Sequence, residues 1–129
     1  MTLPEKHLPE DCQRIGQILT VASDKWSVLV MAELNGHPLR FKELRAAVDG
    51  ISERMLTVTL RNLERDGFVI RTAYPTVPPR VEYTLSERGQ AFKDTLRPVG
   101  AWVLSNRDAI DHSRRTFDRA AQPHLSDGK

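Results

Sequence analysis

Apolar residues fall at helical spacing along most of this chain, with one short stretch that alternates instead. From Cys12 to Ala22, Ile15, Ile18, Leu19 and Ala22 recur at three- and four-residue steps, which predicts a first helix. Lys25 to Leu34 is apolar almost all round (Trp26, Val28, Leu29, Val30, Met31, Leu34) and reads as a central helix. Ser23 or Asp24 can cap its start, and Asn35-Gly36 ends it. Arg40 to Val48 puts Phe41, Leu44 and Val48 on one face of a short third helix, and Asp49-Gly50 breaks the chain after it. Ser52 caps a fourth helix that runs to Asp66, where Gly67 terminates it. Phe68 to Tyr74 has the composition of a strand. Beyond it, Val81, Tyr83 and Leu85 alternate with Arg80, Glu82 and Thr84, the period of a half-buried strand. Pro75, Pro78 and Pro79 between the two cannot donate to a ladder. The prediction is a two-stranded hairpin with a rigid tip and Arg80 at its root. From Ser86 onward, Phe92, Leu96, Val99, Val103, Ile110 and Phe117 recur at three-, four- and seven-residue steps, a seam for a partner helix, with a kink expected at Pro98.

The expected fold class is mainly α with a small β-hairpin wing. Three helices, a helix of the recognition type and then a hairpin is the order of a winged helix-turn-helix. The fourth helix can be tested for that role. Stepping about 100° per residue, Leu56, Leu60 and Leu63 point one way, with Met55 and Thr59 flanking. Arg54, Val58, Arg61 and Arg65 point the other way, with Thr57 at the edge. In a helix-turn-helix the N-terminal part of this helix enters the major groove. The arginine fork matches guanine O6 and N7, and a threonine or valine methyl can meet the thymine methyl. Arg54, Thr57, Val58 and Arg61 are therefore the base-reading candidates, and Arg40, Lys42, Ser52, Arg65 and Arg80 the candidates for backbone and wing contacts. An ordinary solvated helix face can carry the same arginines; the hairpin with a basic root directly after it strengthens the DNA reading until the two stand level.

Charge supports that placement. The net charge is only +2, but between Arg40 and Arg80 eight basic residues stand against five acidic ones, so that segment is +3 and the remainder −1. A chain of 129 residues with 40% hydrophobic content is expected to form one folded domain. The expected organisation is a flexible arm over 1–11, a folded region over 12–122 and a disordered tail over 123–129. Within it, the DNA-binding core spans about 25–88 and dimerisation helices about 86–122. No apolar run approaches the ~18 residues of a membrane span, and the N-terminus lacks the layout of a secretory signal. The single cysteine, Cys12, excludes an internal disulfide and fits a reducing cytoplasm. His7, His37, His112 and His124 have no metal-ligand spacing. There is no glycine-rich phosphate loop and no nucleophile elbow. Neither an enzyme nor a cofactor is expected. Trp26 and Trp102 are expected in the core.

Several motifs agree in order and spacing with one family. K-W-S-V-L-V-M-A-E-L (25–34), P-L-R-F-K-E-L-R (38–45), G-I-S-E-R-M-L-T-V-T-L-R-N-L-E-R-D-G (50–67), Y-P-T-V-P-P-R-V-E-Y-T-L (74–85) and E-R-G (87–89) resemble the HxlR-type regulators, a branch of the MarR-like winged-helix proteins. The resemblance covers roughly residues 12 to 104. It implies a dimeric regulator that binds double-stranded operator DNA, with the hairpin as wing and Arg80 approaching the minor groove or its phosphates. The seam of Phe92, Leu96, Val99 and Val103 has no partner within the DNA-binding unit, so a two-fold dimer built from helix 1 and the C-terminal helices is expected, with these residues as contacts. One departure is Ser23-Asp24, where the approach to Lys25 usually carries two glycines. Cys12 matches a cysteine that in some members senses electrophiles or oxidants. A thiolate near a helix N-terminus is favoured by the dipole, and Arg14 is nearby, although Glu10 and Asp11 oppose it. The expected function is a sequence-specific, dimeric repressor of its own or an adjacent gene, with electrophiles or oxidants acting through Cys12 as the candidate effectors. The rival reading is a winged-helix module whose arginine face serves an acidic protein.

Overall fold

The computed structural model describes residues 9–127, with side chains described for 10–122. It divides into two units, Met1–Asp94 and Thr95–Lys129. The first holds α1 (Pro9–Ser23), α2 (Lys25–Glu33), α3 (Phe41–Ala47), α4 (Glu53–Arg65), the strands β1 (Val69–Tyr74) and β2 (Arg80–Leu85), and the start of α5 (Glu87–Asp127). The second is the rest of α5.

Capping chemistry sets the helix boundaries. Proline suits the first position of α1, and Glu10 and Asp11 follow in its first turn, where carboxylates complement the dipole. Residues 9–11, expected in a flexible arm, are thus helical; 1–8 lie outside the described residues. Asp24 caps α2: its Oδ2 accepts from the Ser27 amide at 2.9 Å and the Ser27 hydroxyl at 2.6 Å. Asp24 has φ −78°, so nothing in this turn requires the glycines usual there. The Ser52 hydroxyl accepts from the Met55 amide at 3.0 Å and starts α4. α4 ends in a Schellman pair: the Phe68 amide donates to Leu63 at 2.9 Å and the Gly67 amide to Glu64 at 3.0 Å, with Gly67 at φ +78°.

The core lies between α2, α3, α4 and β1. Val30, Met31, Leu34, Leu44, Val48, Ile51, Leu56, Leu60, Leu63, Phe68 and Val69 are buried, and Ile18, Val21 and Trp26 pack against them. Trp102, expected in the core, is 61% exposed on the second unit.

β1 and β2 pair antiparallel from Val69↔Leu85 to Tyr74↔Arg80, and the three prolines fall in the connection, as expected. The alternation expected in β2 is not seen in its burial: all six residues are half-buried. Tyr83 and Leu85 pack on the core, while on the other face Arg80 lies across Tyr74 and pairs with Glu82, so neither face is open. A bridge that the pattern did not predict joins Leu39 to Tyr83, with amide–carbonyl distances of 3.0 and 2.8 Å. It fastens the approach to α3 alongside the wing.

α5 runs through Pro98 without interruption. Losing one amide donor does not end a helix whose ladder continues on both sides. The tail expected over 123–129 is helical backbone as far as Asp127, and its last two residues lie outside the described residues.

Candidate nucleic-acid interface

α4 is strongly two-faced. Leu56, Thr59, Leu60 and Leu63 are buried, whereas Arg54, Thr57, Val58, Arg61 and Arg65 are all exposed. Among the described residues, Arg54, Arg61 and Arg65 form no ion pair. Three guanidiniums therefore project from one face without internal neutralisation. Thr57 donates its hydroxyl to the Glu53 carbonyl at 2.9 Å, which fixes that side chain against its own helix. Val58 is 45% exposed, a small apolar surface between the arginines.

The face borders distinct clefts. Thr57 and Arg61 line one of about 420 Å³ with Phe41, Leu60, Glu64, Arg71 and Tyr83, between α3, α4 and the wing. Val58 lines another, against α1 and α2, with Thr20, Asp24, Met55 and Asn62. Arg65 lines a third, against α1, with Gln17, Ile18 and Asp66. The predicted base readers thus share one helix face, while Arg61 also meets the wing and Arg65 turns toward α1.

The remaining candidates surround this helix. Arg40 and Lys42 are exposed at the start of α3. The Arg40 amide donates to Glu43 Oε1 at 2.7 Å, so the backbone is capped and the Arg40 side chain is left outward. Arg45 Nη1 reaches Glu53 Oε2 at 3.5 Å, an exposed pair between α3 and the first turn of α4. Ser52 is exposed as well as capping. Where the wing strands meet their connecting loop, Arg80 pairs with Tyr74 and its guanidinium lies 4.4 Å from the Tyr74 ring centroid.

Two residues of this surface escaped the sequence reading. Arg71 sits opposite Tyr83 and reaches the same cleft as Arg61. The signal was available: Arg71 shares a strand face with buried Val69, where a charge needs a reason. Tyr74 is the other, and pairing the strands around the prolines places it directly across from Arg80.

A model described as the HxlR-like helix-turn-helix matches residues 21–111. The chain belongs to the HxlR-like helix-turn-helix family. The HTH-type transcriptional regulator YtfH of Escherichia coli K12 is 38% identical over 90 residues, 70% of this chain and 71% of that protein. A MarR-family transcriptional regulator from Enterococcus faecalis V583 superposes with a TM-score of 0.67 at 34% identity, covering 88% of this chain and 99% of that one. The redox regulator HypR in its reduced form superposes with a TM-score of 0.66 at 36% identity, covering 77% and 98%. HxlR-like proteins are transcriptional regulators rather than enzymes, and the winged helix-turn-helix found here is their fold. Among the described residues no helix is long and apolar enough to cross a membrane, and no group of side chains could hold a metal ion.

The remaining sequence-predicted residues stand on α1 and α5. Phe92 does not stand free as the first residue of an open seam. It is half-buried and stacks on Phe68, with ring centroids 4.7 Å apart. On the second unit, Val99 and Val103 are 57% and 47% exposed, and Leu96 is half-buried. Cys12 is exposed in the first turns of α1.

Proposed function

We propose that this HxlR-like chain is a homodimeric repressor that reads operator DNA upstream of its own or an adjacent gene. The observation that carries the reading is the α4 face on which Arg54, Arg61 and Arg65 are exposed and, among the described residues, without ion pairs. Such a face is costly to leave beside other cations and well suited to a groove lined by phosphate. Arg54 and Arg61 contact base edges, with Thr57 and Val58 making smaller contacts. Arg40, Lys42, Ser52, Arg65 and Arg80 contact the backbone. The family's role in transcription supports DNA as the partner.

A second copy follows from the second unit. It is one helix, with Leu96, Val103, Ile110 and Phe117 seven residues apart and Val99 between the first two. Phe117, Val99 and Val103 remain largely exposed. α1 likewise exposes Ile15 and Leu19, at 39% and 61%. A two-fold dimer covers such surfaces and presents two recognition helices to half-sites ~10 bp apart, or a multiple of that.

Cys12 adds an effector to this reading. It is the only thiol of the chain and is exposed, and HypR, similar over most of this chain, is described as a redox regulator. Small oxidants or electrophiles modify Cys12 and change operator affinity.

The test is a footprint on the flanking intergenic DNA, repeated across a salt series. Protection with a two-fold repeat and a steep salt dependence is the expected result. Absence of any specific protection, with retention of an acidic protein partner, would replace this reading by a protein-binding module.

A further inference from the structure

The wing arginine is held in place before anything binds it. Tyr74 and Arg80 are directly opposed in the last registered pair of the hairpin, so their side chains leave the same face. The Arg80 guanidinium carbon lies 4.4 Å from the Tyr74 ring centroid. Its Nε faces Glu82 Oε2 at 3.7 Å, within ion-pair range but beyond hydrogen-bond reach. That nitrogen is buried and has no hydrogen-bond partner among the described residues. Yet the Arg80 side chain as a whole is 39% exposed. The Nε edge of the guanidinium is shut against the hairpin, while the side chain as a whole keeps open surface.

We propose that Tyr74 is a positioning residue for Arg80, fixing the guanidinium over its ring so that the outer nitrogens meet a DNA phosphate without first being ordered. This rests on the reading of the hairpin as a DNA-binding wing. A free arginine has many rotamers to lose on binding, and a planar cation over an aromatic face has much of that freedom removed in advance. Glu82 flanks the same guanidinium and steers its Nε inward, away from DNA. The ring is the neutral part of the clamp: it holds the cation without cancelling its charge. Tyr74 is absent from the apolar cluster that forms the core, so its replacement leaves the fold's main support intact.

The experiment measures operator affinity across a salt series for wild type, Tyr74→Leu, Tyr74→Phe, Arg80→Ala and the Tyr74→Leu/Arg80→Ala double variant, each checked by thermal melting. Tyr74→Leu is expected to weaken binding about two- to five-fold on every sequence, as loss of one exposed cation–π contact predicts. Tyr74→Phe, which keeps the ring, is expected to bind like wild type. In the Arg80→Ala background, Tyr74→Leu should add nothing. Tyr74→Thr, which suits a strand, stands in should the leucine variant melt early. Equal losses for Tyr74→Leu with and without Arg80, or a Tyr74→Phe as weak as Tyr74→Leu, overturn the proposal. So does wild-type affinity in Tyr74→Leu when Arg80→Ala is weakened. An Arg80→Ala protein with unchanged affinity and salt slope instead overturns the wing reading beneath it.

Discussion

Phe68 and Phe92 lie as parallel rings, 4.7 Å between centroids and 2° between planes. An offset stack of this kind is a favourable aromatic geometry. It joins the residue that closes α4 to the first turns of α5. Ser86 adds a polar joint at the same place: its amide donates to the Phe68 carbonyl at 3.0 Å, its hydroxyl donates to the Gly67 carbonyl, and its Oγ accepts from the Gly89 amide at 3.0 Å. The end of α4, the exit of the wing and the start of α5 are thereby locked together within the first unit.

Gly89 is the tightest point of that joint. A Cβ at this position would overlap the carbonyl oxygen of Phe68, a backbone atom that cannot swing aside. Alanine ordinarily favours a helix over glycine by about 1 kcal/mol. Overpacking against fixed atoms costs about 1–3 kcal/mol, and here the obstacle is backbone, so the steric cost wins. Gly89→Ala is expected to lower stability, seen as a reduced midpoint in urea or thermal denaturation. A midpoint equal to or above wild type would show that the joint can open freely.

The two proposed base readers should separate from the backbone contacts by their specificity. Arg54→Ala or Arg61→Ala is expected to cost ~1–3 kcal/mol and to relax preference at defined operator positions. Arg40→Ala, Lys42→Ala and Arg80→Ala should weaken all sequences alike and flatten the salt slope by about one each. Arg71, which shares the cleft with Arg61, belongs with this second group. A binding screen over single-base operator variants reads the difference; full discrimination retained by Arg61→Ala would mean that the helix face is turned otherwise.

Much of this architecture was legible because local signals agreed. Asp24, Ser52 and Gly67 mark helix ends by chemistry that acts within a few residues, and the leucines of α4 declare its buried side. The prolines confine the hairpin connection. What escaped was non-local. The Leu39–Tyr83 bridge depends on segments more than forty residues apart. Phe92 fits a seam by spacing, yet its ring finds Phe68 first, since a partner in the same unit needs no second molecule. Trp102 looks like core by composition, but core requires a second surface, and the described residues of its unit form a single helix. Of the candidate site, the helix face was readable from its period. Arg71 and Tyr74 required the strand register.

The exposed apolar residues of the second unit make the assembly testable. Val103 is 47% exposed at the centre of the seven-residue series. Val103→Glu places a carboxylate where a second copy is proposed to pack, and burying it unpaired costs several kcal/mol. The variant is expected to dissociate toward monomer in light scattering at micromolar concentration and to lose operator affinity, with the first unit's core undisturbed. A wild-type chain that is already monomeric at that concentration, or a variant that stays dimeric, would remove this surface from the interface.

Cys12 offers the sharpest test of an effector, because there is no other thiol to share the chemistry. It is exposed near the start of α1, the helix whose Ile15 and Leu19 are also exposed. Oxidation there has two outcomes: a disulfide to the second copy, or a capped thiol. Either adds a constraint or bulk at the proposed dimer contact rather than at the DNA face. A two-fold dimer must keep its recognition helices at one half-site spacing, so a small shift at that contact becomes a large loss at the operator. Wild-type protein is expected to change operator affinity at least several-fold on treatment with diamide, and to recover with a thiol reductant. Cys12→Ser should bind like the reduced wild type and ignore diamide. Non-reducing electrophoresis separates the two chemical outcomes, since only the disulfide doubles the mass. If wild type and Cys12→Ser respond alike, or neither responds, Cys12 is not the sensor and the signal enters elsewhere.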